Sequence, residues 1–166
     1  LSEENIKAAK ATAEANKQLR KDAELARVAN QGLIEQYDIQ AEQQRQIRDD
    51  DLKSIDERIQ ANDELKAVLI LQKERMLENA QAILAAAEAQ YKLTGLDEDN
   101  VALQEAKNEL LAVEAQITGF MSEQKSNAIA LQKEKMELEA SDDEARLARE
   151  AEQRAFNAEM MENEMA

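Results

Sequence analysis

The chain has 166 residues, 34% of them charged and 2% aromatic, and it contains no histidine, cysteine, proline or tryptophan. Without His or Cys it lacks the groups that usually carry nucleophilic, proton-shuttling or soft-metal chemistry near neutral pH, so an interaction role is expected ahead of an enzymatic one, with no cofactor. Two Tyr and two Phe cannot fill a thick core, and a net charge of −15 argues against direct nucleic-acid binding and against an anionic membrane surface.

The acidic excess is local. Residues 1–48 hold eight acids and eight bases, 49–100 thirteen against six, 101–140 seven against four, and 141–166 eight against three. The richest apolar run is Val68-Leu69-Ile70-Leu71, far short of the roughly twenty residues of a membrane span. No signal peptide is read, and the opening on Leu1 suggests an excerpt from a longer protein. Alanine, glutamate, glutamine, lysine and leucine dominate, which predicts an all-α fold of long coiled-coil helices around a thin, elongated core.

Residues 1–48 are predicted as an alanine-rich helical flank, with Ala8, Ala11, Ala15, Leu19, Ala26 and Ala29 near one face. Small side chains permit close approach but contribute little burial, so this flank is expected to depend on partner chains or on residues outside this stretch. Gly32 costs about 1 kcal/mol relative to alanine but does not end the helix. Asp49-Asp50-Asp51 follows, and Ser54 with Glu57 has capping-box spacing.

A central coiled-coil hairpin is predicted over 49–140, with arms 52–94 and 98–140. Before the turn the seam reads Leu52, Ile55, Ile59, Asn62, Lys66, Leu69, Lys73, Met76, Ala80, Ile83, Ala87 and Gln90; after it come Leu103, Ala106, Leu110, Val113, Ile117, Phe120, Gln124, Asn127, Leu131, Glu134 and Leu138. Both keep the alternating three- and four-residue step of helices that wrap one another. The turn falls at Gly95, which tolerates a left-handed conformation, with Asp97 suited to cap the next helix. Reversal there pairs layers whose residue numbers sum to 193, such as Ile83 with Leu110 and Met76 with Ile117. The middle layers are polar: either a two-helix hairpin is wet there, or a third helix corrects the seam.

Residues 141–166 are predicted as an acidic helical flank, opened by Ser141 in a second capping-box spacing with Glu144, and Met160–Ala166 should fray. The tract Leu71-Gln-Lys-Glu echoes Leu131-Gln-Lys-Glu, which shared composition explains as well as duplication. Asp97-x-Asp99 mimics the start of a calcium loop but lacks its glycine and twelfth-position glutamate, so no metal site is assigned there or at Asp49–Asp51. Met76, Met121 and Met136 are read as seam filling and surface scatter.

The stretch Ile55-Asp-Glu-Arg-Ile59-Gln-Ala-Asn62, the later Ala115-Gln-Ile-Thr-Gly119-Phe120-Met-Ser-Glu-Gln124-Lys-Ser-Asn127 and the Leu-Gln-Lys-Glu tracts resemble coiled-coil portions of bacteriophage tail tape measure proteins and related long virion proteins, over roughly residues 50–140. That resemblance implies a structural rod in a virion tail, assembled in the host cytoplasm, whose partners are itself and other structural proteins. A hairpin at Gly95 departs from such a ruler, because one straight helix of this length would span about 250 Å. The other expectation is a cytoplasmic adaptor or tether whose antiparallel arm presents its surface to a protein partner.

Overall fold

The computed structural model describes residues 2–165, which form three helices: α1 (Glu3–Arg48), α2 (Ile55–Thr94) and α3 (Asp97–Met165). The all-α expectation holds. No helix among the described residues is long and apolar enough to cross a membrane.

Each boundary has a local chemical cause. Ser2 starts α1 by accepting a hydrogen bond from the Asn5 amide at 3.2 Å. Between α1 and α2, Ser54 and Glu57 form a complete capping box, each side chain accepting from the other's backbone N–H. α2 ends at Gly95 in the left-handed region (φ 63°), where its amide donates to the Tyr91 carbonyl at 2.8 Å. A side chain there would meet no neighbour, so the preference for glycine is conformational and not steric.

Two of the expected caps do not form. Asp97 is the first residue of α3 and not its cap; the turn is organised instead by Thr94, whose hydroxyl donates to Asp99 and accepts from the Leu96 amide. Ser141 caps nothing. α3 runs through it without a break, because residues 136–140 are good helix formers and no Gly or Pro interrupts the backbone. The helix also continues to Met165, while Ala166 lies outside the described residues.

α2 is the middle helix. α1 returns against it antiparallel, as shown by Asn16 Nδ2 donating to the Ala89 carbonyl at one end and Arg58 Nε to the Arg48 carbonyl at the other. α3 also runs antiparallel to α2, with Ala80 packed among Val113 and Ile117, and Lys135 ion-paired to Asp56. α1 and α3 therefore point the same way. A third helix does lie beside the central seam, so α2 must bury two faces, and this accounts for the lysines of the expected seam though not for Asn62 and Gln124, which stay buried.

The extra face changes which residues go inside. Leu65 and Gln72 are buried, each one position before the Lys66 and Lys73 of the expected seam; Lys66 is exposed and Lys73 half-buried. On α1 the inward positions are Asn16, Leu19, Ala23, Ala26, Asn30, Leu33 and Tyr37, a three- and four-residue alternation. Ala8, Ala11, Ala15 and Ala29 face water. Choosing the α1 face by alanine content misplaced it, because the buried stripe also carries two asparagines.

Candidate functional site

Nearly all the large side chains of the predicted helix interface sit where α2 meets α3. Leu69, Ala80, Leu103, Ala106, Val113, Ile117 and Leu131 are buried, and Ile55, Ile59, Met76, Ile83, Ala87, Leu110 and Phe120 are half-buried. Two members are corrections. Leu52 is 96% exposed, in the connection before α2, where no helix holds it against the seam. Leu138 is 46% exposed, because α3 has by then passed the α1–α2 connection and has nothing beside it.

Two clusters anchor the rod. Ala80, Val113 and Ile117 pack with Met76, Leu77 and Leu110 between α2 and α3. Ala41, Leu65 and Leu69 pack with Val68 and Phe120, so this second cluster draws on all three helices. Leu65 is only 1% exposed, and its complete burial contributes on the order of 2–3 kcal/mol. α1 supplies only alanines to the buried apolar set. Its grip on α2 therefore leans on close backbone approach and polar contacts.

Those polar contacts fix register. Gln72 Nε2 donates to Asp38 Oδ1 at 2.6 Å, joining α2 to α1, and Gln124 Nε2 donates to the Asn62 carbonyl at 2.6 Å, joining α3 to α2. The second bond reaches from the layer of Leu69 toward the start of α2, so local pairing departs from the uniform sum of 193. The side-chain oxygens of buried Asn62 and Gln124 have no hydrogen-bond partner, a cost of about 1–3 kcal/mol each that a leucine would avoid. Polar groups so placed specify alignment more than they stabilise it.

At one end of the rod the three helices are clamped. Arg58 on α2 donates to the Arg48 carbonyl at the end of α1 (2.7 Å) and to Glu134 Oε1 on α3 (2.8 Å). Arg48, itself buried, forms a two-pronged contact with Asp49 at 2.8 and 3.0 Å, which holds the Asp49 carboxyl below the usual carboxylate range. The Lys135 ammonium is raised by its hydrogen bond to Asp56. Arg58 and Arg48 were not read as site residues. Their signal in the sequence was faint, a base at the end of a helix and another in the first turn of the next.

Immediately past this clamp the surroundings of α3 end. Residues 136–165 are all exposed. These thirty residues span about 45 Å at 1.5 Å per residue and hold ten acids against three bases, a net charge of −7. Their side-chain support is local and exposed: Arg146 pairs with Asp143 and Glu150, Gln153 donates to Asn157 and Arg154 to the Glu150 carbonyl, and such contacts contribute a few tenths of a kcal/mol each. Apolar side chains stand in water along this arm, among them Met136, Leu147, Phe156 and Met161.

No known family, curated protein or solved structure matches this chain. Its own surfaces must therefore suggest its role. Among the described residues, open grooves run between helices, such as the one bounded by Asp63, Lys66, Thr118, Met121 and Lys125. No group of three or more potential metal-ligating His, Cys, Asp or Glu side chains occurs among the described residues.

Proposed function

We propose that this chain is a structural, non-enzymatic helical segment of a larger assembly, acting through coiled-coil association with copies of itself, and that its setting is the phage tail or virion implied by the tape-measure resemblance. The observation that carries this reading is the bare stretch of α3. A polar helix without tertiary partners is marginal in water, and one that continues straight out of a clamped bundle is half of an interface. The folded chain measures about 100 Å along α3, so it serves better as one unit in a stacked rod than as a fully extended ruler.

Negative-stain imaging and sedimentation of the chain over rising concentration test this. Elongated particles that lengthen with concentration are expected, and a compact, concentration-independent monomer would end the idea. The same bare arm favours a second reading, a tether that presents its antiparallel coiled coil to a different protein. Ile83→Cys with Leu110→Cys bridging within one chain, together with melting independent of concentration, would favour the tether.

A further inference from the structure

We propose that copies of the chain join head to tail, the acidic arm 136–165 of one copy lying alongside the outer face of the N-terminal half of α1 in the next. This contact rests on the self-association proposed above and names its two surfaces. α1 and α3 point the same way, so an arm leaving one copy along the rod axis meets the next copy at the start of its α1, with the two helices parallel.

Charge selects this occupant. Between Lys7 and Arg27, α1 carries six bases and three acids, a net charge of +3, against −7 on the arm. At about 100° per residue, Lys10, Lys17 and Lys21 lie opposite the inward Leu19, Ala23 and Ala26, with Lys7 beside them. All four lysines are exposed, and among the described residues none of the ion pairs involves them. With ends abutted, residue n of α1 stands level with residue n + 135 of the arm; opposite charges then meet at four levels and like charges at two. Two arms pairing with each other would instead bring together surfaces of the same sign.

Size sets the strength. A strip about 45 Å long and 10 Å wide covers roughly 450 Å² on each partner, at the low end of specific interfaces. One contact is therefore weak and salt-sensitive. Because the two surfaces differ, the contact does not close on itself and repeats into a filament.

Sedimentation of the full chain tests this at about 0.05 M and about 0.5 M salt, where screening lengths differ severalfold. The wild-type chain is expected to associate at low salt and to lose association at least tenfold at high salt. One variant carries Lys7→Glu, Lys10→Glu and Lys17→Glu, the other Asp142→Lys, Glu152→Lys and Glu162→Lys; all six sites are exposed, and circular dichroism checks that the body stays folded. Each variant alone should remain monomeric, and an equimolar mixture should associate again. Failure of the mixture to recover overturns the head-to-tail pairing. Association of both variants at wild-type strength also overturns it while leaving self-association standing, whereas a wild-type chain that stays monomeric throughout overturns both.

Discussion

The two parts of α3 differ less in sequence than in company. Residues 97–135 and 136–165 belong to one unbroken helix and share the same alanine- and glutamate-rich texture, yet the first part buries Leu103, Ala106, Val113, Ile117, Gln124 and Leu131 and the second buries nothing. Helix propensity is similar along both. What changes is the presence of α2, so tertiary burial, not intrinsic preference, separates a load-carrying segment from an arm awaiting a partner.

Mutation should split the two parts most sharply at their leucines. Leu65→Ala, which empties a fully buried site facing α1 and α3, is expected to lower stability by about 2–4 kcal/mol, while Leu147→Ala on the arm changes the dilute chain by less than about 0.5 kcal/mol. Chemical denaturation of the two variants measures both, and equal losses would mean that the arm is packed in the dilute chain. Next in size is the clamp. Arg58→Met leaves the Arg48 carbonyl and Glu134 without their donor and should cost about 1–3 kcal/mol, whereas Arg146→Met, whose pairs are exposed, should be nearly silent.

Smaller effects refine the same contrast. Gly95→Ala should destabilise by about 1–2 kcal/mol because it forces a side chain into the left-handed region, but Gly119→Ala, inside the packed part of α3 with free space around it, should stabilise by about 1 kcal/mol. Thermal melts of the two single variants moving in the same direction would contradict this. Acid should act last and least. Asp49 has a depressed pKa in the folded state, so its contribution is complete above the unfolded value near 4 and is lost as pH falls through the folded one. Asp49→Asn should therefore lower stability slightly at neutral pH, leave the acid end unchanged and so flatten the fall between them, the effect being small because the side chain is mostly exposed.

Much of the body was legible from residue order alone. Gly95 in a helical text marked the reversal, Ser54 and Glu57 marked a helix start, and the Leu103-to-Leu131 seam carried its own period. α1 was harder: its inward face mixes Asn16, Asn30 and alanines, so hydrophobicity does not single it out, and the Leu65-for-Lys66 exchange on α2 is intelligible only once a second neighbour is present. Ser141 misled because capping-box spacing recurs by chance in sequences rich in glutamate, and a cap forms only where the backbone has a reason to leave the helix. Nothing local at residue 136 announces that packing stops there; that boundary is set by where α1 turns into α2.

Residue-resolved amide hydrogen exchange on the dilute and the concentrated chain tests most directly whether α3 is one helix with two fates. Strong protection over 97–135 at both concentrations is expected, with 136–165 nearly unprotected when dilute and protected when concentrated. Equal protection along the whole helix in the dilute chain would contradict that division, and so would an arm that exchanges freely at every concentration.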